Sequence, residues 1–232
     1  MKTSPVWFCA VIILLSATAR AAEVSLTTRA GDRCVTLHWK SLRELHIFRG
    51  TTPEGPFREM SVGHARTGNA IDLEVENGRT YYYKVEVAPD ERSETIAANP
   101  QAFRNDDDFL EFIQATAFDY FWFEANPANG LIRDRSTTNS FCSIAAVGFG
   151  LTALGIGVDH GWITRSAGAE RALRTLRTLA TLPEGASGAT AGYKGWFYHF
   201  LDMETGLRFR KVELSSIDTA LLMAGVLYAQ KF

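Results

Sequence analysis

Neither sign of charge is in surplus in this chain: 24 Lys and Arg stand against 26 Asp and Glu, a net charge of -2. That leaves no basic footprint, and nucleic acid is set aside as a partner. Cysteine is scarce, with 3 in all, and no CxxC pair or His-rich spacing suggests a metal centre. No cofactor is implied. Cys34 and Cys142 fall in segments assigned below to different domains, so they read as small buried hydrophobes and not as a bridge. A membrane-spanning N-terminus is not expected either, because the apolar run from Val6 to Leu15 is shorter than the ~20 residues a bilayer needs. What stands there is Lys2, that short run and the small residues "SATARAA", the layout of a secretory signal cut after Ala21 or, as second choice, Ala19. Residues 1–21, Cys9 included, are therefore expected to be a signal peptide. The mature chain is expected to be periplasmic or secreted, with no stable membrane span.

At 46% hydrophobic, the 232 residues can bury a sizeable core. From about Val24 to Pro100 the text is strand-like. "CVTLHW" sets Val35, Leu37 and Trp39 against Thr36 and His38, the period of two that marks a half-buried strand. "ELHIFRG" follows, then the turn-rich "TTPEGPF", then "AIDLEV" and "TYYYKVEVA" with Asn77-Gly78 turning between them. Short strands at this spacing predict a β-sandwich. Trp39, "FRGTTPEGPF" and "NGRTYYYKVEV" together resemble a fibronectin type III domain, in which Tyr81 or Tyr83 would make the tyrosine corner. Residues 22–102 are expected to form that module, a spacer or docking surface without chemistry of its own.

Composition changes at "NPQAFRNDDDF". Asn105 or Asp106 can cap a helix running to about Glu124, with acids at its positive end. Phe109, Phe112, Ile113, Thr116, Ala117, Tyr120 and Phe121 give it one apolar face. "STTNSFCSIAAVGFGLTALGIGV" then carries no charge over 23 residues. Its four glycines, its hydroxyls and its flanks argue for a helix buried inside a helical protein, where glycines let neighbours approach closely, and against a membrane span. "WITRSAGAERALRTLRTLATLP" is amphipathic: Thr164 caps it, Leu173, Leu176 and Ala180 face inward, and Arg171, Arg174 and Arg177 face water. "KGWFYHFLDMETGLRFR" reads as a β-hairpin turning at Glu204-Thr205-Gly206. A last helix begins near Ser215 with no polar stripe. Outer, inner, outer, inner is the order that two concentric rings of helices require, so the predicted fold is multidomain β + α, a sandwich followed by part of an (α/α)6 toroid.

Six stretches, "FDYFW", "NGLIRDRS", "SIAAVGFGLTAL", "GWITRSAGAERALRTLRTL", "GYKGWFYHFLDMETGLR" and "ELSSIDTALLMAGVL", resemble the glucoamylase-like domain. That domain occurs in bacterial endo-β-1,2-glucanases of glycoside hydrolase family 144 and in cyclic β-1,2-glucan synthases, and the similarity runs from about Asp106 to Phe232. The resemblance implies that residues 103–232 are the N-terminal part of an (α/α)6 barrel. It also implies that the partner is a polysaccharide or oligosaccharide, a β-glucan, with transglycosylation open beside hydrolysis. "LYAQKF" shows no capping glycine. The chain is therefore expected to be a piece of a longer one, incomplete and inactive by itself. The rival expectation is a non-catalytic protein that binds carbohydrate or the cell envelope.

Glycoside hydrolysis needs two carboxyl groups, one to protonate the leaving oxygen and one to activate water or attack carbon. Asp218 and Glu213 lie at the start of the last helix, and Asp134, in "GLIRDRS", precedes the uncharged one. These are the candidate catalytic acids. The family carries an acid where "SSIDTALL" stands, more often Glu than Asp, so Glu213 competes with Asp218 for the proton-donor role. Taken alone, Ser215 with Asp218 is close to a capping box, in which the acid merely bonds backbone amides. Arg133 and Arg135 flank Asp134 and favour a base or sugar-binding role there. Tyr193, Trp196, Tyr198 and His199 complete the candidate sugar-binding set, and alternation places Trp196 and Tyr198 on one face of the hairpin, away from Phe197 and His199.

Overall fold

The computed structural model describes residues 24–39, 45–60, 68–87, 91–137, 139–186 and 188–232; the expected signal peptide lies outside them. Eight strands come first: β1 (Leu26–Gly31), β2 (Cys34–Trp39), β3 (His46–Gly50), β4 (Phe57–Glu59), β5 (Asn69–Asp72), β6 (Tyr81–Val87), β7 (Glu91–Arg92) and β8 (Ile96–Ala98). They form two antiparallel sheets, one in the order β1-β2-β5 and one in the order β4-β3-β6-β7 with β8 also on β6. Val35, Leu37 and Trp39 from the first sheet and Ile47, Tyr83 and Val85 from the second share one core. The Asn77-Gly78 turn therefore links strands of different sheets, β5 and β6, and closes no hairpin. Tyr81 makes the contact foreseen for Tyr81 or Tyr83: its hydroxyl oxygen accepts the Glu76 N–H at 3.0 Å. Tyr83 instead donates to Asp72, which also chelates Arg49.

The half-buried pattern expected for β2 is corrected by the structure, in which all six of its residues are buried. Thr36 and His38 lie outside the sandwich core cluster yet are buried, and His38 is covered by the first helix, α1 (Asp106–Phe123). His38 stacks on Phe123 with ring centres 4.5 Å apart. Its Nε2 lies 3.0 Å from the Asp119 carboxylate, at ion-pair distance without hydrogen-bond alignment. Arg29 closes on the same carboxylate at 3.1 and 3.2 Å. Burial alone would raise the Asp119 pKa, but the contacts from His38 and Arg29 outweigh it and hold that carboxyl below its usual range.

Asn105 caps α1 as expected, accepting the Asp108 N–H at 2.9 Å. Its buried face is another correction: Ala115, Phe118 and Asp119 turn inward, while Phe109 and Ile113 are exposed. The helix is wedged between β2 and the next helix, and that wedge, rather than its most apolar stripe, sets its rotation. Helices α2 (Ile144–Asp159), α3 (Arg165–Thr181) and α4 (Ser216–Lys231) follow, capped by Ser143, Thr164 and Ser215. Short strands fall between them: β9 (Cys142–Ser143) before α2, and β10 (Gly192–Tyr193), β11 (Trp196–Phe197) and β12 (Phe200–Leu201) before α4. The glycines of α2 act as foreseen. A Cβ on Gly148 would run into the α4 backbone at Leu221, and one on Gly225 into the Gly148 carbonyl, so the two helices cross at backbone contact.

In α3 the inward face is Gly168, Arg171, Thr175 and Leu179, whereas Leu173 and Ala180, expected inside, are exposed. Arg171 is buried because it closes the end of α1: it donates to the Trp122 carbonyl at 3.2 Å and lies over the Trp122 ring at 4.4 Å. Arg174 donates to the Pro127 carbonyl, in the loop beyond that helix, at 2.7 Å. Guanidinium groups suit the negative end of a helix, whose last carbonyls lack intrahelical partners. Cys34 and Cys142 are both buried and both free. Among the described residues no helix is long and apolar enough to cross a membrane.

Candidate active site at the start of the last helix

The segment between β11 and β12 is the structural hinge of the site. Phe200 and Leu201 pair with Ser143 and Cys142, and the Ile144 N–H donates to the His199 carbonyl at 3.3 Å. On its other edge the His199 N–H donates to the Glu213 carbonyl, and the Ser215 N–H to the Phe197 carbonyl, both at 3.0 Å. One extended segment thus joins the N-termini of α2 and α4. The positive ends of both helices flank the side chains it carries.

Those side chains converge. His199 Nδ1 lies 2.8 Å from Glu213 Oε1 and Nε2 lies 3.6 Å from Asp218 Oδ1, so one imidazole spans the two carboxylates. Its ring is stacked on Phe200 at 3.8 Å, which fixes its plane. Asp218 is buried and Glu213 is exposed. The Asp218 N–H donates to Ser215 Oγ at 3.2 Å, and the Ser215 hydroxyl donates back to Asp218 Oδ2 in a short contact. A full capping box would have the acid accept the Ser215 amide, but that amide is already given to Phe197. The Asp218 carboxyl therefore turns to the Ser215 hydroxyl and to His199. Glu213 is held below the usual glutamate range, first by its own backbone N–H and then by His199.

Asp134 stands on the neighbouring loop. Its N–H donates to the Phe141 carbonyl at 2.8 Å, and its carboxylate accepts from Arg135 at 2.8 and 3.1 Å. Phe141 packs on Phe200 and Phe209 with ring centres 4.2 and 4.8 Å away, so the loop leans on the hinge segment through aromatic contact. The Asp134 carboxylate pairs with its own neighbour, Arg135, and not, among the described residues, with the His199 group. Arg133 turns elsewhere, to Glu124 at 3.6 Å and the Thr137 carbonyl at 3.1 Å. Arg135 is exposed beside the Phe141 ring.

The hairpin splits the aromatic set. Tyr193 and Trp196 face each other across β10 and β11, joined by a two-residue turn at Lys194 and Gly195, both with positive φ. Trp196 is 47% exposed, one residue before the Phe197 carbonyl that receives Ser215. Tyr198 is buried, with Arg208 over its ring at 4.2 Å. Trp196 and Tyr198 therefore do not share an exposed face: β11 ends at Phe197, and Tyr198 bridges to Leu214 instead. The turn placed at Glu204-Thr205-Gly206 is present, organised by Asp202, whose carboxylate accepts the N–H groups of Glu204 and Thr205.

Sequence reading missed a second polar centre. Glu124 is buried at the end of α1, bonded to Asn69 and at ion-pair distance from Arg133. Burial raises its pKa, and Arg133 and Asn69 offset that only in part. A lone Glu closing an apolar helix gives no signal of its own, because the cover comes from the distant β5.

No family model matches the chain. It is 27% identical, over 94% of its length, to an exo β-1,2-glucooligosaccharide sophorohydrolase (non-reducing end) of Parabacteroides distasonis, of which it covers 31%. It superposes on a β-1,2-glucanase structure from Parabacteroides distasonis with a TM-score of 0.70 at 23% identity, covering 91% of this chain and 32% of that one. An endo-β-1,2-glucanase from Chitinophaga pinensis, in complex with sophorotriose and glucose, matches 54% of this chain and 30% of its own at 23% identity and a TM-score of 0.46. The chain thus spans about a third of the length of the curated relative it matches. The resemblance drawn from the six sequence stretches holds: the chain is similar in sequence to a β-1,2-glucooligosaccharide sophorohydrolase and in fold to a β-1,2-glucanase.

Proposed function

We propose that the chain carries a glycoside hydrolase site for β-glucan, with the β-1,2 linkage favoured, on an exported protein built of a fibronectin-like sandwich and part of an (α/α)6 toroid. The observation that carries this reading is the imidazole of His199 held between Glu213 and Asp218 at the mouths of two helices. An inverting glycosidase works with a pair of carboxyl groups, ~6.5–9.5 Å apart, one as acid and one as base. Asp218, buried at the start of α4 with one oxygen toward His199, is assigned the proton donor. Glu213, exposed and held ionised, is assigned the base that activates water. Trp196 offers an exposed flat ring for a glucosyl unit, and Asp134 with Arg135 lies at the rim. The similarity to proteins named for β-1,2-glucan supports the substrate class.

The second reading, a non-catalytic glycan-binding protein, is favoured by the exposure of Trp196 and Glu213 on an open surface. Reducing-end release from linear β-1,2-glucan separates the two. The hydrolase reading expects release by a full-length form, which falls by about 100-fold or more in Asp218→Asn, the range for loss of a general acid. Saturable binding of the same glucan without release supports the binding protein. Neither release nor binding removes both.

A further inference from the structure

The sandwich, expected as a spacer or docking surface, is joined to the candidate site by an unbroken run of contacts. Gly68, just before β5, lies so close to the end of α1 that an added Cβ would stand 3.0 Å from the carbonyl oxygens of both Trp39 and Phe123. Next to it, Asn69 donates its side-chain amide to Glu124, which is fully buried. From Glu124 the backbone pairing continues step by step. The Arg133 N–H donates to the Glu124 carbonyl at 3.3 Å and the Ser143 N–H to the Ile132 carbonyl at 3.2 Å, and Ser143 pairs with Phe200, the neighbour of His199. Packed and hydrogen-bonded runs of this kind are what carries energetic coupling from one part of a protein to another.

The Arg133 side chain belongs to this run and not to a sugar. Only 16% of it is exposed, and its guanidinium lies 3.6 Å from Glu124. It also donates to the Thr137 carbonyl at 3.1 Å, and the Arg133 carbonyl accepts the Tyr120 hydroxyl at 2.6 Å. A buried carboxylate left without its cation is costly, which keeps Arg133 turned inward. Just beyond, the Asp134 N–H donates to the Phe141 carbonyl at 2.8 Å and the Arg135 N–H to Ser140 Oγ at 3.1 Å. The loop carrying Asp134 and Arg135 is thus held at its root by an ion pair whose acid is anchored in the sandwich. We infer that Glu124 and Arg133 are a positioning pair through which the sandwich sets this loop at the rim of the candidate site. The inference rests on the hydrolase reading for what the rim does, and on the contacts above for how it is held. Neither residue is assigned a contact with glucan.

Amide hydrogen exchange on the full chain, read at Asp134 and Arg135, tests the holding without any sugar. Glu124→Gln keeps the shape and an acceptor for Asn69 but loses the charge. It should speed exchange at both amides by about tenfold, as expected when a contact to a charged group is lost. Asn69→Ala, half-buried on the sandwich side, should speed it several-fold, which keeps the test decisive if Glu124→Gln folds poorly. Asp119→Asn loosens a different contact between sandwich and helices and should leave these amides unchanged. In reducing-end release by a full-length form, Asn69→Ala should raise KM several-fold with kcat held, because a displaced rim weakens binding and leaves Asp218 and Glu213 in place. Unchanged exchange in both Glu124→Gln and Asn69→Ala overturns the inference, as does equal acceleration in Asp119→Asn. Faster exchange with KM unmoved overturns it as well. A parent form that releases no sugar removes the hydrolase reading alone, and exchange then decides whether the loop is held from the sandwich.

Discussion

Two buried aspartates, one in each part of the chain, are built from similar components to opposite ends. Asp72 in the sandwich is saturated: both oxygens accept from Arg49 at 2.8 Å, Tyr83 donates at 2.9 Å and the Glu74 N–H at 3.0 Å. Asp218 in the helical part has one oxygen on the Ser215 hydroxyl, while the other faces His199 at 3.6 Å, beyond hydrogen-bond length. A carboxylate with every lone pair engaged is a rivet. One with an oxygen left over, beside an imidazole and an exposed second acid, keeps lone pairs for a further partner. Burial and a hydroxyl neighbour do not distinguish the two; the count of remaining lone pairs does.

The sharpest way to break this contrast is to remove each carboxylate and measure stability. Asp72→Ala leaves the Arg49 guanidinium and the Tyr83 hydroxyl without their acceptor and should cost about 3–5 kcal/mol in urea unfolding. Asp218→Ala in the same assay should cost well under half of that. Equal losses would mean that Asp218 is as structural as Asp72. Gly148→Ala comes next. It pushes a methyl into the α4 backbone and should cost about 1–3 kcal/mol, the usual range for overpacking, with the sandwich unaffected by near-ultraviolet circular dichroism. The hydroxyl partners give a smaller and more discriminating pair. Tyr83→Phe and Ser215→Ala should each lower stability by about 1 kcal/mol, but only Ser215→Ala should also change reducing-end release or glucan binding.

The smallest effect is in pH. Asp119 has its folded pKa depressed, so its contribution is fully present above the unfolded value, near ~3.9, and is lost as pH falls through the folded one. Melting temperature should therefore fall below about pH 4, and Asp119→Asn should flatten that slope relative to the parent protein. A slope identical in the two proteins would place the acid sensitivity elsewhere.

Much of this was readable beforehand because it is written locally. Asn105, Thr164 and Ser215 sit at their caps since a short polar side chain before an apolar run has few other uses. The glycines of α2 spoke of a close neighbour for the same local reason. What escaped was set across long separations. Thr36 and His38 look like the wet side of a strand but are buried, His38 beneath α1. Arg171 looks like a solvent residue until the end of α1 needs its carbonyls closed. The rotation of α1 and α3 was misjudged because hydrophobicity marks a preferred face, whereas backbone carbonyls and buried ion pairs chose the actual one. In the candidate site, Asp218, Glu213 and His199 were each picked out singly. Their gathering depends on the pairing of the hinge segment with both helix starts, and neither partner lies next to it in sequence.

The covering of β2 on both faces bears on how such a protein could have been assembled by recombination. An independent sandwich joined to a new neighbour would carry His38 into water and leave Asp119 of the helical unit without Arg29 and His38 beside it. Exchange of whole modules at this seam is therefore penalised.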